Sequence, residues 1–195
     1  DFMSKQTFQT EVSQLLHLII HSLYSHKEIF IRELVSNSSD AIDKLKLLSL
    51  TNDKYKGLSK DYKIDISFSN GEVPSITISD TGIGMSKKEL SDNLGTIARS
   101  GTKKFVSKLS GDKAKDSNLI GQFGVGFYSS FMVADKVEVV SKKVGMKNAN
   151  GWKSDGKTGF EIYDAQREDF GTTIKVYLNN DGLEFANKWQ IENVI

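Results

Sequence analysis

Apolar side chains recur at helical spacing in two segments near the start of the chain, and each segment predicts an amphipathic helix. Ser25 followed three residues later by Glu28 is a capping-box pattern, so the second helix is expected to begin near His26 and to run to about Leu50. The first helix is expected over residues 8–23, with an apolar face formed by Phe8, Val12, Leu15, Leu16, Ile19, Ile20 and Leu23.

Alternation of apolar and polar residues dominates the rest of the chain. The stretches KIDISFS and SITISD, separated by a segment that contains Asn70-Gly71, predict a β-hairpin. Further strands are predicted at KVEVVS, GFEIY and TTIKVYL, and Ser86 with Glu89 predicts a capped helix. A glycine- and serine-rich stretch from Asn93 to Gly126 has weak periodicity. This order of elements predicts the α+β class, a two-layer sandwich with helices on one face of a mostly antiparallel sheet.

One strip of the second predicted helix carries only polar groups, at positions Glu33, Asn37, Asp40 and Lys44. An Asp40–Lys44 salt bridge is the ordinary interpretation. Four such groups over roughly 16 Å of helix axis favour a long polar ligand over a point-like metal. The strip is expected to be desolvated, and a desolvated carboxylate must be paired, protonated or bound to a ligand. Its expected apolar neighbours are Phe30, Leu34, Ala41, Ile42, Leu45 and Leu48 on one side and Ile29 and Leu47 on the other.

The stretch DTGIGM places Asp80 at the end of a predicted strand, just before Gly82 and Gly84. Glycines there permit a strand-to-helix turn with close backbone approach. A carboxylate only accepts hydrogen bonds when ionised, so Asp80 at the rim of an apolar sheet suits the exocyclic amine of adenine.

A second glycine cluster lies in IGQFGVGFYSSF, where backbone N–H groups are available to phosphates. Its spacing is the reverse of the dinucleotide fingerprint, and no strand-helix-strand unit surrounds it, so a Rossmann site is not favoured. The stretch GTIARSGTK approaches a P-loop but separates Gly95 from Gly101 by five residues where the pattern needs four. The Rossmann motif is therefore weakly supported, and the P-loop is rejected.

Composition narrows the remaining possibilities. The 195 residues are 38% hydrophobic and carry a net charge of +1, which suits one domain and gives no basic footprint for nucleic acid or anionic lipid. The chain has no cysteine and no apolar run of about 20 residues, so a cytoplasmic protein is expected. His17 and His21 lack an evident third metal ligand, and no GxSxG nucleophile motif occurs. The amphipathic pattern continues to the last residue, which suggests a fragment of a longer chain.

In order, the stretches ELVSNSSDA, DTGIGM and GQFGVGF resemble the three ATP-site motifs of the GHKL superfamily of gyrases, heat-shock chaperones, histidine kinases and MutL proteins. The flanking stretches HSLYSHKEIFIREL, NLGTIARSGTKKF and YSSFMVADKV are similar to the amino-terminal domain of the heat shock protein 90 chaperones, in particular the bacterial type. The resemblance extends from about Phe8 onward. It implies that residues 1–195 form one nucleotide-binding domain, in which residues of about 95–124 form a flexible lid. It also implies that the middle and carboxy-terminal domains of the family are absent from this chain.

The resemblance also implies roles for individual residues. Glu33 corresponds to the general base that activates water, Asn37 to the Mg²⁺ ligand, and Asp80 to the acceptor for the adenine amine. Thr172 corresponds to the threonine that supports Asp80 through water. Arg99 stands where this family usually has lysine. The other implied ATP-binding positions are Asp40, Lys44, Gly84, Met85, Asn93, Leu94, Arg99, Gly121, Gln122, Gly124, Val125, Gly126 and Phe127.

The function implied is Mg²⁺-dependent binding and hydrolysis of ATP in a molecular chaperone that assists protein folding. ATP is expected to close the lid and to favour dimerisation in the full-length protein, with client proteins bound mainly by segments that this chain lacks. An arginine from the following domain completes catalysis in this family, so the isolated, monomeric chain is expected to bind ATP or ADP well and to hydrolyse ATP poorly. Alternatives are a gyrase-like or MutL-like DNA-handling ATPase, a histidine-kinase catalytic domain, and a regulatory nucleotide-binding module without turnover.

Overall fold

A computed structural model describes residues 4–7, 28–57, 61–95, 126–184 and 186–187. The first predicted helix, Ser25 of the predicted capping box, and His17 and His21 lie outside these residues. The described elements are β1 (Ser4–Thr7), α1 (Ile29–Thr51), a 3₁₀ turn (Asp53–Tyr55), β2 (Ile64–Ser69), β3 (Ser75–Asp80), α2 (Lys87–Leu90), a π-helical turn (Ser91–Gly95), a 3₁₀ segment (Gly126–Met132), β4 (Ala134–Lys142), β5 (Ala149–Ser154), β6 (Gly159–Ala165) and β7 (Gly171–Leu178). Residues 180–184 and 186–187 are also helical.

The strands form one seven-stranded sheet in the order β1-β6-β5-β4-β7-β3-β2, and every pair of neighbours is antiparallel. Helix α1 packs against β3 and against the 3₁₀ segment Gly126–Met132. The predicted α+β architecture, with helical segments on a mostly antiparallel sheet, is confirmed. Within the described residues, no helix is both long and apolar enough to cross a bilayer.

Helix α1 forms where the periodicity predicts it, and it begins at Ile29. Its predicted apolar face is buried against the sheet, with Phe30, Leu34 and Leu45 inaccessible to solvent. Arg32 and Lys46, on the predicted solvent face, are exposed. The prediction for Leu47 is wrong, because this side chain is 62% exposed and does not border the polar strip as a buried neighbour.

The predicted hairpin is present as β2 and β3, with Ile66 opposite Ile78 and Phe68 opposite Ile76. Residues 70–74 connect the two strands, so the connection is longer than a two-residue Asn-Gly turn. Gly71 also lacks the positive φ that such a tight turn requires. The predicted capping box of α2 is also present. Ser86 accepts the Glu89 N–H at 3.2 Å, and the Glu89 carboxylate accepts the Ser86 N–H at 3.0 Å.

Strands β1 and β5 were not predicted. Strand β5 is covered on both faces, so it shows no alternation of apolar and polar residues. Gly151 lies under the ring of Tyr163, where a Cβ would overlap the ring. Trp152 points into the core and contacts Phe127 edge to face, with ring centroids 5.4 Å apart.

Candidate functional site

A cavity of about 610 Å³ lies between α1, the segment from Asp80 to Leu94, and strands β4 and β7. This volume is within the range of small-molecule sites. The cavity is lined by Asn37, Ser38, Asp40, Ala41, Lys44, Asp80, Ile83, Gly84, Met85, Glu89, Asp92, Asn93, Leu94, Phe127, Val139, Thr172 and Ile174.

Asp80 is the buried carboxylate of this cavity, with 3% of its surface exposed. Its Oδ1 accepts the Gly82 N–H at 2.8 Å. The Ser38 hydroxyl and the Thr172 N–H also lower the pKa of Asp80 as hydrogen-bond donors near the carboxylate. Burial raises the pKa of Asp80 above its ordinary value, against the lowering effect of these hydrogen bonds and of the charge on Arg167. A carboxylate offers about four acceptor positions, so the bond from Gly82 leaves acceptor positions for a ligand.

The turn that follows Asp80 is fixed to α1 and to the end of β4. Gly82 packs so closely on Ala41 that an added Cβ would overlap it, and the Ile83 N–H donates to the Ala41 carbonyl at 3.1 Å. Gly84 has φ +74° and lies against the Lys142 carbonyl, where any Cβ would collide. The glycines of DTGIGM therefore serve the turn and also shape the cavity wall.

Ser141, at the end of β4, joins this turn to β7. It accepts the Met85 N–H at 2.8 Å, lies 2.7 Å from the Thr172 hydroxyl and donates to the Gly171 carbonyl at 3.2 Å. Because a hydroxyl has a single proton, the bond to Gly171 makes Thr172 the donor to Ser141. The lone pairs of Thr172 then remain available to the cavity, which it lines.

The polar strip of α1 forms the mouth of the cavity. Asn37, Asp40 and Lys44 line it, but all three are exposed. The prediction that the strip is desolvated is therefore wrong for these residues. The helix turns them toward an open cavity, where solvent still reaches them.

Glu33 lies on the same strip but is not one of the residues that line the cavity. It is half-buried, and its carboxylate packs on the backbone of Gly126, where a Cβ would overlap it. Burial raises the pKa of Glu33, the charge of Arg32 lowers it, and the negative charge of Asp40 raises it further. Glu33 thus combines a raised proton affinity with a position one turn before Asn37.

Apolar side chains form the inner wall. Phe127, Leu94, Val139 and Ile174 are buried there, and Met85 is half-buried. Asn93 lines the cavity from its exposed rim. Arg99, Gly121, Gln122, Gly124 and Val125 lie outside the described residues, as does most of the predicted lid.

Sequence reasoning missed several residues of this site. Ser141 carried a usable signal, since it follows Val137 and Val139 at the inward-facing positions of β4. Ser38 carried a signal too, since it interrupts the predicted apolar face between Leu34 and Ile42. The lining residues that were not predicted are Ser38, Ala41, Ile83, Glu89, Asp92, Val139 and Ile174.

Residues 24–168 match the family described as histidine kinase-, DNA gyrase B-, and HSP90-like ATPase. The chain belongs to this ATPase family. Within the family it is 60% identical over 191 residues to the chaperone protein HtpG of Borreliella afzelii (strain PKo), an alignment that covers 98% of this chain and 30% of that protein.

Two further relatives are similar over the same extent. The chain is 58% identical to the chaperone protein HtpG of Wolinella succinogenes over 99% of its own length and 31% of the relative. It is 56% identical to the protein of the same name from Helicobacter pylori (strain 26695), again over 99% of the chain and 31% of the relative. The chain thus spans about 30% of the length of the curated relatives it matches. Membership of the ATPase family indicates that the chain binds a nucleotide.

Proposed function

We propose that this chain is the ATP-binding and ATP-hydrolysing domain of a chaperone of the heat shock protein 90 family that assists protein folding. The observation that carries the proposal is the buried Asp80 carboxylate at the inner end of a cavity of about 610 Å³. A buried carboxylate is destabilising unless it accepts hydrogen bonds. The amine of a ligand would donate a further hydrogen bond to Asp80, in addition to those from the protein.

Adenine fits this end of the cavity in both polarity and shape. Its exocyclic amine donates to Asp80, and its flat faces contact the apolar wall that includes Met85, Leu94 and Phe127. Guanine carries an oxygen at the corresponding ring position. With guanine, this oxygen and the Asp80 carboxylate face each other in a desolvated site. Both are acceptors, so GTP is rejected.

The phosphates belong at the mouth, where the side chains are exposed and charged. Lys44 supplies a positive charge there. Asn37 is the proposed Mg²⁺ ligand. Mg²⁺ commonly uses one or two protein oxygens together with phosphates and water, so the exposed Asn37 amide suits it, although the described residues contain no cluster of three or more His, Cys, Asp or Glu. When bound with the nucleotide, Mg²⁺ neutralises phosphate charge.

Glu33 is the proposed general base. A base is most effective when its pKa lies near the working pH, and burial raises the pKa of this carboxylate in that direction. Contact with the Gly126 backbone holds the side chain beside the glycine cluster that is expected to meet the phosphates. The base alone gives slow turnover, because transition-state charge also needs a cation such as the arginine expected from a following domain.

Several wider expectations belong to this proposal. We expect residues 95–124 to act as the lid, the full-length protein to dimerise through amino-terminal domains in the cytoplasm, and client proteins to bind other segments. The DNA-handling alternative is less well supported, since the three relatives named above are all chaperones.

Calorimetric titration of the purified chain with ATP, ADP and GTP, with and without Mg²⁺, tests the proposal. We expect adenine nucleotides to bind, GTP to bind at least about a hundredfold more weakly, and Asp80→Asn to abolish adenine nucleotide binding. Equal binding of ATP and GTP by the unmodified chain would refute the role of Asp80.

Hydrolysis is tested in the longer protein. Glu33→Ala is expected to leave ATP affinity nearly unchanged while it reduces kcat by at least about a hundredfold. Turnover that persists in this variant would remove Glu33 from the mechanism.

A further inference from the structure

Arg167 lies behind the sheet, at the same end of β3 as Asp80. Side chains alternate between the two faces of a strand, so Ser79 and Thr173 point away from the cavity that Asp80 and Thr172 line. Arg167 comes from the connection between β6 and β7 and packs on this opposite face. It is absent from the residues that line the nucleotide cavity.

The guanidinium of Arg167 joins β3 to β7. Its Nη2 donates to the Asp80 carbonyl at 3.1 Å and to the Ser79 hydroxyl at 3.3 Å, and its Nε donates to the Thr173 hydroxyl at 3.4 Å. Its Nη1 donates to the carbonyl of Asp169 in its own loop. These bonds surround the point at which Asp80 is paired with Thr172 in the sheet.

Gly171 makes room for this arrangement. It has φ +129°, and a Cβ there would overlap the Asp80 carbonyl oxygen and lie within 2.9 Å of Nη1 of Arg167. Any side chain at this position would displace the guanidinium from the Asp80 carbonyl. The glycine at the start of β7 therefore leaves the space that the Arg167 guanidinium occupies.

The positive charge of Arg167 also favours the ionised form of Asp80. Arg167 lowers the pKa of Asp80 against the larger effect of burial, and Asp80 in turn raises the pKa of Arg167 against burial. The other charged groups around Asp80 are Asp40 and Lys44 on α1, Glu89 and Asp92 across the cavity, and Lys63, Asp65, Glu168 and Asp169 behind the sheet.

We propose that Arg167 is a positioning residue for nucleotide recognition, which holds the end of β3 from behind the sheet so that Asp80 presents an ionised carboxylate to the purine. This inference rests on the proposed binding of adenine by Asp80. Lysine cannot replace Arg167 fully, because one ammonium cannot span acceptors on two strands in the fixed geometry of a guanidinium.

The first experiment needs no nucleotide. Titration of the Asp80 carboxyl carbon by NMR gives its ionisation midpoint in the unmodified chain and in Arg167→Met, Arg167→Lys and Lys175→Met. We expect the midpoint to rise in Arg167→Met, to rise less in Arg167→Lys, and to stay unchanged in Lys175→Met. Lys175 is the matched control, since it lies on the same face of β7 and its ammonium contacts the ring of Tyr177 at 5.0 Å.

The second experiment measures ADP affinity from pH 6 to pH 9. The ratio of the dissociation constants of variant and unmodified chain cancels the titration of the nucleotide phosphates. For Arg167→Met we expect a loss of affinity that is largest at the lowest pH and shrinks as the pH rises, because high pH restores the ionised carboxylate. Arg167→Lys should show a smaller loss with the same dependence on pH, because its midpoint rises less, and Lys175→Met should match the unmodified chain.

Two results would overturn the inference: an unchanged Asp80 midpoint in Arg167→Met, or an affinity loss in that variant that does not vary with pH. If Arg167→Met fails to fold by its amide spectrum, Arg167→Gln replaces it, since glutamine is neutral but keeps two N–H donors. Failure of the unmodified chain to bind ADP would refute the proposed function, while the midpoint measurement would still decide whether Arg167 controls Asp80.

Discussion

The two ends of the cavity are built in different ways. At the inner end, Asp80 is buried, and its neighbours Gly84 and Ser141 are fixed by close packing and by hydrogen bonds between strands and turns. At the mouth, Asn37 and Lys44 project from one face of α1 and are exposed. The inner end is therefore organised by the fold itself, whereas the side chains at the mouth remain exposed to solvent.

Because of this difference, we expect the two ends of the cavity to have different roles in ligand binding. Under the proposed function, a preorganised inner end loses little freedom on binding, so we expect it to set which base is accepted. We expect the exposed side chains at the mouth to contribute mainly charge, which would attract phosphates and would depend on salt. Changes at the inner end should therefore affect both stability and base selection, and changes at the mouth should affect neither strongly.

Gly84→Ala should have the largest effect. The variant places a Cβ in a left-handed backbone position and against the Lys142 carbonyl, so we expect the free energy of unfolding to fall by about 3 kcal/mol, as measured by urea denaturation. Gly57→Ala is the matched control, because Gly57 has the same φ of +74° with nothing within 4 Å of an added Cβ. Equal losses in the two variants would show that packing at Gly84 contributes nothing.

Ser141→Ala should have an intermediate effect. It leaves the Met85 N–H and the Thr172 hydroxyl without their partner, so we expect a loss of about 1–2 kcal/mol in stability and about tenfold in ADP affinity.

The control for Ser141 is Ser154→Ala. Ser154 is a buried serine of β5 that accepts the Gly156 N–H at 2.9 Å and donates to the Gly159 carbonyl at 2.6 Å, and it is not one of the cavity-lining residues. We expect Ser154→Ala to lose similar stability and to keep full ADP affinity. If both variants lose affinity alike, Ser141 has no special relation to the site.

The pH dependence of stability should report Asp80 directly. Its pKa is raised in the fold above the ordinary value of 3.8, so the stability it contributes is present below that value and is lost as pH rises through the folded pKa. Asp80→Asn should therefore be more stable than the unmodified chain at pH 7, with the difference shrinking toward pH 3 in urea titrations. Lower stability of the variant at pH 7 would contradict a destabilising buried carboxylate.

Lys44→Met should have the smallest effect on the fold. Because Lys44 is exposed, we expect stability to change by no more than about 0.5 kcal/mol. Affinity for ATP should fall severalfold at low salt while affinity for adenosine is unchanged, since adenosine lacks phosphates. A similar loss for both ligands would place Lys44 at the base rather than at the phosphates.

The sequence predicted the inner end of the cavity better than it predicted the residues and strands that pack behind it. Alternation along SITISD placed Asp80 at the end of β3, and DTGIGM identified the turn behind it. Arg167 carried no such signal, because the connection between β6 and β7 has no periodicity and its contacts arise only when distant strands pair. Strand β5 was missed for a related reason, since Asn150-Gly151 favours a turn, and only the ring of Tyr163 above Gly151 explains a glycine there.

At the mouth, periodicity predicted the direction of the side chains but not their exposure. Helical spacing correctly separated Phe30 and Leu34 from the polar strip. It could not show that an open cavity keeps Asp40 exposed, or that Leu47 points to solvent, because exposure depends on elements that are remote in sequence.

The most direct test of the central claim is a backbone NMR titration of the chain with ADP. If a purine completes the buried Asp80 carboxylate, the amide signals of Gly82, Met85 and Thr172 will shift together and saturate with the ligand, and Asp80→Asn will remove these shifts. Saturating ADP that leaves all three amides unmoved would contradict the account.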